Sequence, residues 1–269
     1  MKIQRFLALA LALAAAPCFG GVSFTSVTST EGGHGHPGMT QKTHGWVSGG
    51  NAKIEYVESG NPILPAGSYS ISRDGGATQM VVNPKDRTYY PLDLKGAMAG
   101  LKGMDIRFDN LKVQKLADDV GPLIAGVPTR HYRYRTSYRM TMQLMGSHVS
   151  EITVDDEIWS APKLLDMALG MTLSKSAFVT GNENFDKLIR AEFDKIQGFP
   201  LKKITTNTTS SAGAAPTTTH TTMEVTELHW MPILDSTFEV PAGYKKTEMF
   251  SHVLDAYRPK KGKPARGQD

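Results

Sequence analysis

The chain has 269 residues, 40% of them hydrophobic, a formal net charge of +4 and a single cysteine, Cys18. One cysteine excludes a disulfide scaffold, so the fold must be held by burial and backbone hydrogen bonds. Lys2 and Arg5 supply two of the positive charges, which leaves little excess charge for the rest of the chain, and no nucleic-acid partner is expected.

Met1 to Arg5 is basic, and Phe6 to Ala16 is almost wholly apolar. A charged start, a short apolar stretch and small residues after it read as a secretory signal peptide over residues 1–20, cleaved near Gly20. The apolar stretch falls short of the ~20 residues that span a bilayer. Acylation at Cys18 is the rival reading, and Pro17 directly before it disfavours that. An exported chain without disulfides points to a bacterial periplasm. Residues 21–257 are then one domain. The basic tail 258–269, with Lys260, Lys261, Lys263 and Arg266 against Asp269, reads as disordered.

Short strands follow, each ended by a glycine or proline turn. The first alternates from Val22 through Phe24. Glu31 to Gly38 is rich in glycine and histidine. His34 and His36, with His44 nearby, suggest a zinc or copper loop. Two imidazoles on a loop lack the remaining ligands of a built site, so no metal or other cofactor is expected. Gly33 to Gly38 has the spacing of a dinucleotide loop, but Pro37 lies inside it and no helix follows.

Trp46 ends a strand that breaks at Ser48-Gly49-Gly50-Asn51, after which Ala52, Ile54 and Tyr56 share a face. Tyr69 and Ile71 mark another strand, turned at Asp74-Gly75-Gly76. Met80 and Val82 continue the inner face up to the turn Asn83-Pro84-Lys85-Asp86. Lys95 to Met104, with Gly96, Gly100 and Gly103, breaks the pattern as a frayed helix or flap. Ile106 to Leu116 predicts a strand, and Gly121 to Pro128 a loop.

Arg130 to Trp159 is the strongest signal. Tyr132, Tyr134, Tyr138, Met140, Met142 and Leu144 alternate with His131, Arg133, Arg135, Arg139, Thr141 and Gln143. A return strand runs through Ile152, Val154 and Ile158. Parity favours a three-residue loop, Gly146 to His148, that sets Met142 opposite Ile152, Met140 opposite Val154 and Arg139 opposite Asp155. This hairpin is placed near the middle of the sheet. Asp155, Asp156 and Glu157 alternate faces on a strand, so they do not converge on one site.

Ser160-Ala161-Pro162 starts a helix that is apolar nearly all round from Lys163 to Ser174. A second helix starts near Asn182 or Asn184, carries Phe185, Leu188, Ile189, Phe193 and Ile196 on one stripe, and stops at Gly198. Phe199 to Asn207 returns to strand. Thr208 to Thr222 reads as a long loop flanked by polar edge strands, with Met223 to Trp230 as the return. Phe238 to Tyr244 closes the domain.

The Trp46 strand, Tyr69 to Asp74, Asn83-Pro84 to Tyr90, Ala125-Gly126-Val127-Pro128-Thr129, Phe199-Pro200-Leu201-Lys202 and Phe238 to Tyr244 occur in an order that resembles the periplasmic lipoprotein-carrier superfamily, the outer-membrane lipoprotein-sorting fold, in a bacterial branch of it. The resemblance implies a mainly β (α+β) fold, a curled antiparallel half-barrel with a helical lid on its concave face. It contains no nucleophile elbow, Walker loop or His-Glu-x-x-His, so a non-catalytic protein is expected. The candidate cleft for a hydrophobic small molecule, lipid or lipoprotein is Tyr134, Tyr138, Met140, Met142, Met167 and Met171, because methionine adapts to ligands of varied shape. Gly170, Gly181 and Gly96 to Gly103 are the hinges that a moving lid would need. The alternatives are an envelope protein-interaction or stress-sensing module without ligand, and a periplasmic metal-binding protein using His34 and His36.

Overall fold

A computed structural model describes residues 20–32, 38–61, 64–76, 78–92, 105–143, 147–166 and 182–248. Among them twelve strands form one sheet: β1 (Gly21–Thr30), β2 (Met39–Ser48), β3 (Asn51–Glu58), β4 (Tyr69–Arg73), β5 (Thr78–Asn83), β6 (Thr88–Pro91), β7 (Asp105–Ile124), β8 (Val127–Gln143), β9 (Ser147–Ala161), β10 (Phe199–Ser211), β11 (Thr217–Met231) and β12 (Lys245–Lys246). Their order is β12-β6-β5-β4-β3-β2-β1-β11-β10-β9-β8-β7. The fold is a mainly β half-barrel, one open curled sheet with a helix, α1 (Glu183–Asp194), against it.

The strands follow from the local chemistry. At Ser48–Asn51 the chain reverses through Gly49 at φ 56°, a conformation open to glycine without strain. Asn83 accepts from the Lys85 amide and donates to Asp86, which closes the β5–β6 turn. β7 and β8 are joined by only two residues, Ala125 and Gly126, both at positive φ, with Ile124 opposite Val127. Such a turn matches the twist of the strands it joins. The expected loop over Gly121 to Pro128 is therefore mostly strand, and β7 runs eight residues past Leu116.

Alternation sorts the sheet into two faces. The inner face carries Phe24, Val47, Ala52 and Val225, which pack with Phe199, Leu201, Ala161 and Leu164. Phe24 meets Phe199 edge-on at 5.1 Å, and its ring lies where a side chain on Gly45 would sit. The outer face of β2 to β6 has its own core: Tyr69, Ile71 and Val82 close on Phe238, with Trp46, Ile233 and Tyr244 around them. Val82 pairs with Tyr69 and Met80 with Ile71, so this row faces the C-terminal segment. That corrects its expected place on the inner face. The register puts Ala52 opposite Ser72 and Ile54 opposite Ser70, so the Ala52–Ile54–Tyr56 row faces the other way.

Further expectations are corrected. The β8–β9 hairpin sits one strand in from the β7 end, not near the middle. Its register puts Met142 opposite His148, Met140 opposite Ser150 and Arg139 opposite Glu151. The three intervening residues are 144–146 rather than 146–148. The parity holds, so every apolar residue keeps its expected face; the pairing slides by two residues on each strand. Outer-face ion pairs account for this. Arg139 binds Glu151 at 2.7 Å, Arg135 binds Asp155 through two hydrogen bonds of 2.7 and 3.0 Å, and His131 bridges Asp119 and Glu157 at 2.9 Å each.

The threonine-rich tract is likewise strand on both arms, Thr208 opposite Thr218 and Thr205 opposite Thr221. It lies deep in the sheet between β9 and β1. Threonine is β-branched and suits a strand regardless of its polarity. Finally, of the helix expected from Lys163 to Ser174, the described part is a 3-10 turn, Pro162–Leu164, running two residues on into helix. The remainder lies outside the described residues, as do Gly96 to Gly103.

Candidate functional site

Two devices fix α1 to the inner face. At its start, Asn182 accepts a hydrogen bond from the Phe185 amide at 3.1 Å, the expected N-cap. The same side chain donates to the Ile106 carbonyl of β7 at 3.1 Å. At its end, Lys195 donates to Asp156 on β9 at 2.8 Å and to Glu192 at 2.7 Å. The helix ends at Asp194, four residues before Gly198.

Between these ties the register collects an apolar group. Ile106 lies opposite Met142 and Phe108 opposite Met140. The Phe108 ring is 6.1 Å from Tyr138 and 5.2 Å from Phe185 of the helix. Ile106, Phe108, Tyr138, Met140, Met142 and Phe185 are all half-buried. Burial raises the Tyr138 pKa, and the nearby Glu192 carboxylate adds to that. These six residues gather on the inner face at its β8–β9 turn end.

The inner face changes character further along. Tyr134 is buried with Tyr132 and Ile158, the two rings 6.4 Å apart, so it belongs to the packed end. Thr136, fully buried between Tyr134 and Tyr138 on this face, has a hydroxyl without a hydrogen-bond partner. Beyond it stands Asp156, 2% exposed, taking hydrogen bonds from Lys195 and from the Thr205 hydroxyl at 2.8 Å, with the Lys203 ammonium at 3.0 Å. Burial alone pushes the Asp156 carboxyl up. The Lys203 charge, the charge and hydrogen bond of Lys195, and the Thr205 hydroxyl outweigh it and hold the group below its ordinary value.

Of the six sequence-predicted cleft residues, Tyr138, Met140 and Met142 come together half-buried near the β8–β9 turn and Tyr134 is buried with Tyr132 and Ile158. Met167 and Met171 lie outside the described residues, as do His34, His36, Gly170 and Gly181. Sequence reasoning kept Asp156 apart from Asp155 and Glu157 but missed its role. Its lysine partner is 39 residues away and becomes a neighbour only through the end of α1. Phe108 and Phe185 were also missed as members of this apolar group, although each lies on a predicted element.

Among the described residues no group of three histidine, cysteine or carboxylate side chains could hold a metal ion. A recess of about 210 Å³ brings the predicted residue Tyr134, with Leu116 and Ile204, beside the charged Arg133, Asp155, Asp156 and Glu157. Asp155 is bound to Arg135 and Glu157 to His131, so the lining mixes apolar and charged groups. Among the described residues no helix is long and apolar enough to cross a membrane.

Residues 39–244 match the family model described as "Domain of unknown function (DUF4412)". No protein of curated function matches the chain. Among solved structures the chain is similar to a domain from Vibrio parahaemolyticus provisionally described as an outer membrane lipoprotein-sorting protein. The identity is 8% and the TM-score 0.33, covering 82% of this chain and 90% of that one. It is also similar to a DUF1329 family protein from Desulfovibrio piger, at 8% identity and TM-score 0.32, covering 83% of this chain and 91% of that one. The arrangement implied by the carrier resemblance, a curled antiparallel sheet with a helix on one face, is the one this chain's own strand order shows.

Proposed function

We propose, for a chain that belongs to the DUF4412 family, that it is an exported, non-catalytic periplasmic protein holding a hydrophobic ligand between the sheet and α1. The ligand class is an acyl chain, free or as part of a lipid or lipoprotein. The observation that carries this reading is the half-buried group Ile106, Phe108, Tyr138, Met140, Met142 and Phe185 at one end of a helix-covered face. Apolar, concave surface with a few hydroxyls near it is the usual make-up of a small-ligand site. Two thioethers and three aromatic rings suit a flexible chain better than a rigid polar metabolite.

In this proposal α1 is a fixed cover, because opening it would expose the Lys195–Asp156 pair. Entry is therefore along the helix, past Met142. The Asp156–Lys195–Lys203 group closes the far end and limits chain length.

Lipid mass spectrometry on protein purified from its own envelope is expected to show co-purifying acyl chains. After lipid removal, a fluorescent fatty-acid probe should bind, and Met142→Ala should change that binding. The same substitution should cost less than the ~2–5 kcal/mol of an emptied core site. Stripped protein that binds no probe, with Met142→Ala costing the full core penalty in a denaturant titration, would mean a dry core. A protein-interaction module would then be the better reading.

A further inference from the structure

The recess of about 210 Å³ over β7 to β10 belongs to the outer face of the sheet. Arg133 lies opposite Glu157, Glu157 opposite Ile204 and Asp155 opposite Thr206, so these five lining residues share one side of β8, β9 and β10. Tyr134 and Asp156 alternate with them and turn their side chains inward, to Tyr132 and to Lys195, so only their backbone floors the recess. The remaining wall is Leu116, the extra residue of the bulge between Lys115 and Ala117 in β7. A bulge beside a site re-aims a side chain that regular pairing would place elsewhere.

The walls do not match the surface around them. From Arg133 to Arg139 on β8, Glu151 to Glu157 on β9 and Thr206 to Ser210 on β10, every outward side chain is charged or carries a hydroxyl. Leu116, 48% exposed, and the half-buried Ile204 stand on opposite sides of this strip. Neither packs against the buried cores found among the described residues.

The charges leave one group uncommitted. Arg135 binds Asp155 twice, His131 binds Glu157, and Arg139 holds Glu151. Arg133 stands between these pairs, and among the described residues it has no hydrogen-bond or ion-pair partner, although Glu157 is opposite it. Its exposed guanidinium keeps all its N–H donors in a planar fork, which fits a carboxylate through two parallel bonds. A cavity of about 150 Å³ takes a benzene ring, so the recess has room for an apolar body the size of a side chain. Asp155 and Glu157 stand close by and disfavour a doubly charged phosphate.

We propose that this recess is a separate binding site for a singly charged carboxylate joined to a short apolar group. Arg133 grips the carboxylate, and Leu116 and Ile204 hold the apolar part. Two sources have this chemistry, a free organic acid and the C-terminal residue of a polypeptide that ends in an apolar side chain. The site lies on the face of the sheet away from α1, so it does not rest on the acyl-chain reading, and either can fail alone.

The test is isothermal titration calorimetry on the full exported protein, with 3-phenylpropanoate as the free acid and an acetylated Gly-Gly-Leu peptide as the polypeptide end. At least one of the two is expected to bind, and its amide about tenfold more weakly or worse. Binding of the free acid alone assigns the site to small molecules, binding of the peptide alone to a polypeptide end, and binding of both to an apolar acid from either source. Arg133→Gln should weaken binding by about tenfold or more. Arg133→Lys should restore only part of it, because an ammonium lacks the fork. Leu116→Ser should cause a smaller loss. Arg139→Gln removes a cation that is paired with Glu151 outside the recess, and it should leave the affinity unchanged. These side chains are exposed, so circular dichroism should show every variant folded. The proposal fails if neither acid is preferred to its amide, or if binding survives Arg133→Gln. It fails equally if inorganic phosphate displaces the acid at equal concentration, or if Arg133→Gln and Arg139→Gln weaken binding alike, because diffuse positive charge would then be responsible.

Discussion

The two ends of the strand order are stabilised by different physics. At β4 and β5 the sheet is buried on both faces: Ser70, Ser72 and Val81 lie on the inner side, and Tyr69, Ile71 and Val82 lie under Phe238 of the C-terminal segment. From β7 to β9 the outer face is open to water and carries a ladder of ion pairs, while the inner face rests under α1. The first region has little to lose to pH or salt. The second stakes part of its order on charge, and it is the region that holds the candidate cleft.

The largest expected effect breaks the doubly buried region. Phe238 is fully buried, and Phe238→Ala should cost about 3–5 kcal/mol. Chemical denaturation read by circular dichroism checks this, and the loss should be unaffected by salt.

The next effect tests the tie between α1 and β9. Lys195→Met leaves a buried carboxylate with Lys203 and Thr205 as its remaining partners, for a loss approaching about 3 kcal/mol. The pH dependence carries a definite sign. Because folding lowers the Asp156 pKa, its contribution is present above the unfolded carboxylate value of ~4 and is lost as pH falls through the folded value. Thermal melts below pH 4 should thus fall less steeply in Asp156→Asn than in the wild type. An equal slope in both would mean that other carboxylates set the acid limit.

The smallest effect belongs to the outer ladder. Arg135 and Asp155 are both substantially exposed, so a double-mutant cycle should give a coupling of about 0.2–1 kcal/mol. That coupling should shrink at high salt. A salt-independent value above this range would mean that the two regions are less different than their burial implies.

The face of nearly every residue in β8 and β9 was legible, because period-two alternation is set by a single strand. Register was not read correctly, yet the charges contained it. With Arg139 opposite Glu151, Arg135 meets Asp155 and Arg133 meets Glu157, which is three opposite-charge pairs. The expected offset, Arg139 opposite Asp155, provides one. Counting charges across the strands would have decided what apolar parity left open. The double burial of β4 and β5 was not legible, since it depends on Phe238, which arrives from more than 150 residues later in the chain. At the site, methionines on an alternating strand were visible, but Phe185 and Asp156 acquire their roles only from where α1 is tied down.

Among the described residues the sheet has twelve strands and has to end somewhere. At one end β12 offers two residues. At the other, β7 is twenty residues long, and its pairing with β8 is broken at Asp109/Lys112, Lys115/Ala117 and Val120/Leu123. No uninterrupted stretch of that ladder exceeds the five residues Asp105 to Asp109. Each bulge twists the free backbone out of line, and Lys112, Lys115, Asp118 and Asp119 stud what remains. A stray strand from a neighbouring molecule finds no straight template on which to grow. The irregularities that disturb this strand thus act as its protection against fibre formation in a crowded compartment.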